Sequence, residues 1–349
     1  YRLIYVPAVS GESIANAYQR NLVELANHIY RKQNKKPPLT DWDLRHEFCK
    51  FMDDRHLTSS LAQIVSGASS TNIIDLKHDF EKKAIEESIV ADVGGFLYAE
   101  RVPVKRTSRL YTSYLLPTYD AIEVTAIEAQ FHARQMPSET VGREAEASSK
   151  ASSREAEGGA EVKKEEVTKA QKIYYVEVAT ALYGLTLALD LDGIGRTSLV
   201  KVENAVDPDE RFRRIKVATG AMGALFTGQG FGAKLTRFMP VKKVVSAIAV
   251  LSDPTPFMVT PPQYPDYIEN TISRVKDHCM FLEKLGLEPR YTVIVLDRLS
   301  ESLKSVNVPQ SEKPGSSKCV VEVVDVNRIE SLFQKVLEKI DAQLSREGK

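Results

Sequence analysis

The residues best suited to chemistry in this chain are its segregated cations. From Arg211 to Lys243 there are eight basic side chains (Arg211, Arg213, Arg214, Lys216, Lys234, Arg237, Lys242 and Lys243) and no Asp or Glu in 33 residues. A second cluster holds Arg101, Lys105, Arg106 and Arg109, opposed only by Glu100. The whole chain is neutral, with 47 basic and 47 acidic residues. Segregated charge on a neutral protein can still form a basic track for a polyanion. The same pattern equally suits a solvated helix face with unrelated surface lysines.

Between the later cations lies GQGFG, Gly228–Gly232. A dinucleotide fingerprint joins a strand to a following helix, and a phosphate-binding P-loop continues into Lys-Ser/Thr. This stretch follows a helical pattern and leads towards a strand, so neither reading fits. What remains is either a flexible turn or a place where backbone amides, with Gln229, Lys234 and Arg237, approach phosphate oxygens. His132 and Arg134 fall on one side of a strand pattern. A lone His of this kind is read first as structural. No Ser, Cys or paired carboxylates sit at catalytic spacing, so nucleophilic and acid–base catalysis have no support. Asp92 and Asp120 are the acids that a metal-dependent ribonuclease reading would use; Asp92 in ADVGG is read as a turn residue.

Cys49, Cys279 and Cys319 are far apart and form no C-x-x-C, so neither a disulfide framework nor a zinc site is expected. The histidines show no ligand pair, and no metal or other cofactor is called for. No run of about 18 apolar residues is present to span a membrane. The chain opens at Tyr1 without Met and without the segments of a signal peptide, so the expectation is a cytoplasmic protein lacking its first residues.

The elements that must position these groups follow from periodicity. Residues 1–6 read as a strand. Ser10 can cap a helix from Gly11 to about Arg31, whose apolar positions Ile14, Tyr18, Leu22, Leu25 and Ile29 share one face. The free amides at that helix start could bind an anion, although capping alone explains Ser10 equally well. Residues 41–90 suggest a helix around Leu44–Met52, a polar loop near 58–72 and an amphipathic run to Val90. Strand chemistry dominates 91–135. Residues 138–170 contain only Ala, Ser, Gly, Thr and Val beside charged residues, and are read as mobile. Strands resume at IYYVEVATALYGLTLALDLD, so two arms flank a disordered tip in a long β-hairpin. Asp207, Pro208 and Glu210 make a strong helix start, with Phe212, Ile215, Met222 and Phe226 inward. VKKVVSAIAVL reads as a central strand. A helix over about 266–285, paired strands YTVIVLD and CVVEVVDV, and a helix over 326–345 complete an α+β pattern, with the sheet covered on one face.

Five phrases taken together carry a family resemblance: VPAVSGESIANAYQ (6–19), ADVGGFLYA with PVKRTSRL (91–110), EAQFHAR (128–134), VEVATALYG (176–184) and FGAKLTRFMP (231–240). The chain resembles the archaeal DevR-type backbone subunit of the type I-A CRISPR Cascade complex, a member of the repeat-associated mysterious protein superfamily. The resemblance runs from residue 1 to about 285, without the 138–170 insert. It implies a modified RNA-recognition-motif (ferredoxin-like) palm made of residues 1–40, 91–135 and 171–349, whose first strand would precede Tyr1. It implies a finger-like helical insertion at 41–90 and a protruding β-hairpin thumb at 118–175. Copies would stack head to tail along CRISPR RNA, contact its backbone and offer its spacer to a target DNA strand, a heterologous and open arrangement. The other partners implied are the 5′-handle-binding, small and large Cascade subunits and a helicase-nuclease. Carried onto this sequence, the RNA contacts would be Ser10, Ser13, Asn16, Gln19, Lys105, Arg106, Arg109, Lys234 and Arg237, with Gln229 in the glycine-rich phrase and His132 and Arg134 near the thumb base. Two rivals remain: a metal-dependent endoribonuclease of a type III-like complex, and a DNA-binding regulator, for which no helix-turn-helix is visible.

Overall fold

The computed structural model describes residues 3–67, 72–124, 126–134, 172–228, 242–298 and 318–347. It forms two compact units, Tyr1–Pro7 with Asp120–Leu182, and Ala8–Tyr119 with Tyr183–Lys349.

In the larger unit, helix α1 (Gly11–Lys32) starts where expected, with Ser10 Oγ accepting from the Ser13 amide. Its face of Ile14, Tyr18, Leu22, Ala26 and Tyr30 is buried. Further along the chain, α6 (Pro208–Thr227) packs against α1, and the Tyr18 hydroxyl donates to the Ala218 carbonyl across that contact. Asp207 caps α6 by accepting from the Glu210 amide at 2.8 Å. Of the four side chains expected inward on α6, only Ile215 is fully buried. Ala218, Ala221, Gly223 and Leu225 take the deep positions because α6 has neighbours on two sides. A Cβ on Gly223 would meet the Phe333 ring at 3.0 Å, so small residues set the approach distance.

The main sheet has the order β11–β10–β9, from β9 (Ser246–Asp253), β10 (Arg290–Asp297) and β11 (Val320–Val326). YTVIVLD and CVVEVVDV do pair, in parallel from Arg290↔Val320 to Leu296↔Val326. The central strand is β10, however, and the 241–251 run supplies the edge strand β9. Helix α7 (Tyr267–Lys284) covers one face through Ile272, Val275 and Cys279 against Tyr291, Val293 and Val295. Helix α8 (Ile329–Glu347) joins the core on the opposite face, where Ile294 and Leu296 lie. The sheet is thus covered on both faces rather than one, and that double burial is why β10 reads as a continuous apolar run. Cys279 and Cys319 form a disulfide with Cα atoms 5.7 Å apart, contrary to the expectation of unpaired cysteines. Forty positions separate them in sequence, but α7 lies over the start of β11, and the tertiary contact brings them together.

The segment after α1 departs most from its sequence pattern. Helix α2 is only Asp41–Leu44, and no helix spans Leu44–Met52. His46, Phe48, Lys50 and Phe51 have φ of 59°, 48°, 46° and 58°, in the left-handed region that breaks a right-handed helix. The stretch expected as a polar loop contains α3 (Ser59–Ser66), because Thr58 caps it and Leu61 and Val65 bury against α4 (Ile73–Glu87). Helix α5 (Ile89–Gly94) then leads into a short hairpin of β1 (Phe96–Tyr98) and β2 (Val104–Arg106). Strand β3 (Leu110–Thr112) pairs with β8 (Leu187–Leu189), and β4 (Leu116–Pro117) with β7 (Tyr183–Gly184).

The smaller unit contains the antiparallel pair β5 (Ala126–Arg134) and β6 (Lys172–Thr180), registered from Ala126↔Thr180 to Arg134↔Lys172. Its N-terminal segment is not the strand expected over 1–6: residues 3–8 find no described partner strand, and Leu3, Ile4 and Tyr5 are exposed. Residues 138–170, read as a mobile tip, lie outside the described residues.

Candidate nucleic-acid interface

The start of α1, the end of α5 and the β2–β3 connection converge. Gly11 lies where a Cβ would touch Thr112 Cγ2 at 3.2 Å, which brings the helix start against β3. Gly95 has φ +67°, and a Cβ there would fall 2.5 Å from the Arg106 carbonyl oxygen and 2.6 Å from the Ser108 amide nitrogen. Only glycine permits that approach. The Arg109 amide donates to the Val93 carbonyl at 2.8 Å and closes the junction.

Along α1, Ser10 and Ser13 are half-buried and Asn16 is exposed, with its Oδ1 accepting from Arg20 Nε at 3.0 Å. Arg20 is a surface cation that the sequence reading missed. Gln19 points inward and is only 8% exposed; its Nε2 donates to the Ala15 carbonyl, and its Oε1 has no partner.

Lys105 and Arg106 have opposite fates, as neighbours on a strand must. Lys105 is exposed beside Leu97 on the outer face of the β1–β2 hairpin and forms no ion pair with a described residue. Arg106 is 2% exposed. Its Nη1 meets Glu81 at 3.1 Å and its Nη2 meets Asp92 at 2.5 Å. The remaining donors reach the carbonyls of Asp92, Arg196 and Gly193. With every N–H direction used, Arg106 has none left for a phosphate, and its expected RNA contact is corrected to a structural role. Arg109 is bonded to Asp190 at 3.1 Å and mostly buried, although its Nε is unpartnered.

The basic stretch of α6 is likewise ion-paired, although only Arg214 is buried. Arg211 pairs with Asp192, Arg213 with Glu210, Arg214 with Asp92 and Glu210, and Lys216 with Asp341. Arg101 pairs with Asp54. These acids are remote in sequence or lie just before the counted stretch, so the run of cations gave no sign of its own neutralisation. Asp92 is no turn residue. It is fully buried in α5 between Arg106 and Arg214 and also accepts from the Gly195 amide. Asp120, the other acid of the ribonuclease reading, is exposed in the smaller unit. Among the described residues no three His, Cys, Asp or Glu side chains gather as metal ligands.

His132 and Arg134 occupy alternate positions of β5, opposite Tyr174 and Lys172. Gln229, Lys234 and Arg237 lie outside the described residues, which stop at Gly228, the cap of α6, and resume at Lys242. A residue absent from the sequence reading joins the site from the left-handed 46–51 segment: Lys50, whose Nζ donates to the Gly94 carbonyl at 3.4 Å. Burial pulls its ammonium pKa down, and Asp43 opposes that only in part. Neither periodicity nor a motif marks Lys50.

A family model described as the CRISPR-associated negative auto-regulator DevR/Csa2 matches residues 1–272. The chain belongs to the DevR/Csa2 family. It is 32% identical over 280 residues to "CRISPR-associated aCascade subunit Cas7/Csa2 2" of Saccharolobus solfataricus, covering 79% of this chain and 74% of that protein. It is 30% identical over 292 residues to "CRISPR-associated protein Cas7/Cst2/DevR" of Methanocaldococcus jannaschii, covering 82% and 78%. A solved chain titled "CRISPR RNA-guided surveillance complex, pre-nicking" aligns with 96% of this chain and 91% of its own at 8% identity and a TM-score of 0.42, a likeness too slight to add to the fold. The glycine junction, the α1 start and the buried Asp92–Arg106 pair all fall inside the part of this DevR/Csa2 member that the family model matches.

Proposed function

We propose that the chain is a non-catalytic, CRISPR RNA-binding backbone subunit that oligomerises along the guide RNA of a Cascade surveillance complex. In this reading it presents the spacer for pairing with invading DNA. The carrying observation is the DevR/Csa2 match across residues 1–272. Base pairing would read the sequence, so the protein needs only contacts to the RNA backbone. The surface around the glycine junction suits that task through Ser10, Ser13 and Asn16 with Lys105, while Arg109 contributes what its Asp190 pairing leaves free; Gln19, proposed with them, is turned inward. His132, Arg134, Gln229, Lys234 and Arg237 belong to the same proposal, without a described contact.

The three-stranded sheet with α1, α6, α7 and α8 would serve as the RNA-recognition-motif-like palm, residues 41–90 as fingers and 118–175 as thumb. Partners would be copies of the chain head to tail, the other Cascade subunits and a helicase-nuclease, in the cytoplasm. Among the described residues no helix is long and apolar enough to cross a membrane. The ribonuclease alternative loses Asp92, whose carboxylate is enclosed by two guanidinium groups.

The test is to purify the chain and measure the ultraviolet absorbance ratio of what co-purifies, with and without ribonuclease. Ribonuclease-sensitive nucleic acid supports the reading. Protein free of nucleic acid that also ignores added single-stranded RNA at low salt refutes it.

A further inference from the structure

The strand pairs β3–β8 and β4–β7 follow one another along the same two segments, but not in step. Between the partners Thr112↔Leu187 and Leu116↔Gly184 lie three residues on one segment, 113–115, and two on the other, 185 and 186. The extra residue is a bulge, and it reverses the in–out alternation of the segment that carries it. Leu110, Leu115, Leu185, Leu187 and Leu189 accordingly all pack into the core. Tyr111 and Tyr114 both turn out, 50% and 54% exposed. Without the bulge, alternation would send one of the two inward.

On the same outward face the neighbouring segment offers only Ala188, Thr186 and Gly184, so no large side chain stands between the rings and solvent on that side. At the head of the face Arg109 and Asp190 are bonded to each other, which leaves it neutral there. At its foot Gln263 Nε2 donates to the Gly184 carbonyl at 3.0 Å, and the Gln263 carbonyl accepts from the Tyr119 amide at 3.1 Å. Tyr119 and Tyr264 meet there edge to face, 5.1 Å apart and at 74°, both exposed. Four tyrosine rings are thus held on a paired backbone with their faces open to water.

Their place in the fold says what they meet. The antiparallel bridge of Val9 to Leu115 sets Ser10 opposite Tyr114, so the Tyr114 ring stands beside the α1 start, where RNA backbone contacts are proposed. A single strand whose phosphates pass that start carries its bases within reach of the rings. Base on aromatic is the contact that single-strand-binding surfaces use, because every base has a π-face. We propose that Tyr111 and Tyr114, with the Tyr119–Tyr264 pair at the foot, form a stacking platform for unpaired bases of the bound RNA. This deepens the RNA-binding reading and rests on it. Stacking leaves the pairing edges of a base free, so it adds to the backbone contacts without reading sequence.

The experiment measures binding of the full chain to a single-stranded RNA, and to the same oligomer with abasic positions, by fluorescence anisotropy across a salt series. Tyr111→Ala and Tyr114→Ala should each weaken RNA binding by about 5- to 150-fold, the worth of one stacked base. The slope of log K against log salt should not change, because no phosphate contact is lost. Tyr114→Phe should bind within about twofold of wild type, since the ring and not the hydroxyl carries the contact. Wild type should bind the abasic oligomer more weakly than the intact one, and Tyr111→Ala/Tyr114→Ala should bind the two alike. The abasic comparison on wild type needs no variant, so it stands even if a substitution unfolds the chain. Equal wild-type affinity for both oligomers, a Phe variant as weak as the Ala variant, or a flattened salt slope would overturn the platform alone. Alanine variants that keep the RNA affinity but place fewer chains on each RNA would give the face to a neighbouring copy instead. A wild type that binds neither oligomer would overturn the RNA-binding reading and the platform with it.

Discussion

Arg106 Nη2 lies 2.5 Å from Asp92 Oδ1, with both side chains wholly withdrawn from solvent. The pair is the hub of a buried network. Asp92 also takes Arg214, Arg106 also takes Glu81, and Glu81 accepts from the Ser198 and Leu199 amides. It therefore ties α4, α5, β2 and α6 to the 193–199 loop, and it fixes the strand from which Lys105 projects.

Breaking this hub should unfold the protein more readily than it alters any surface. Arg106→Met leaves two buried carboxylates short of a partner and should cost about 3–5 kcal/mol in denaturant unfolding. Lys105→Ala should stay within about 0.5 kcal/mol of wild type while weakening binding to single-stranded RNA. A stable Arg106→Met with a pure binding defect would return Arg106 to the interface.

Asp92→Asn separates the scaffold from the ribonuclease. The carboxylate is enclosed by guanidinium groups, so the substitution should lower the unfolding midpoint and change no RNA cleavage, with Mg²⁺ or Mn²⁺ present. Metal-dependent cleavage by the wild type that Asp92→Asn abolishes in a folded chain would contradict the assignment.

Glu203 makes stability respond to acid. Hydrogen bonds from Lys201, Lys82 and His78 hold its pKa down at about 2, against 4.5 for an ordinary Glu. Its contribution is present above the ordinary value and is lost as pH falls from about 4.5 towards about 2. Thermal melts over that window should show a shallower acid dependence for Glu203→Gln than for wild type. Parallel curves would mean that the three donors do not hold the carboxylate in solution.

The Cys279–Cys319 bond predicts a thiol count. In denaturant without reductant one thiol per chain, Cys49, should titrate, and with reductant all three. Reduction should also lower stability by roughly 2–4 kcal/mol, as expected for a loop of this length. Three reactive thiols in freshly purified, unreduced protein would contradict the pairing.

Much of the scaffold was legible because local signals agreed with tertiary packing. Ser10 before the α1 periodicity and Asp207-Pro208 before α6 placed both helix starts, and the β-branched runs at 291–297 and 319–326 paired as read. The 45–53 segment failed because helix propensity is a weak prior and Phe51 is drawn into the core beside Phe80 and Phe96 instead. The cationic clusters misled for a related reason. Arg106, Arg109, Arg211 and Arg214 are answered by Asp92, Asp190 and Asp192, and sequence proximity carries no trace of those pairings. Lys50 was invisible because its place depends on four left-handed residues that no composition rule anticipates.

The central claim, a subunit that coats RNA, is tested most directly by the mass of complexes formed on single-stranded RNAs of increasing length, read by mass photometry or sedimentation. The number of chains per RNA should rise in even steps with length, independently of base sequence. One chain per RNA at every length, or no complex at all, would contradict it.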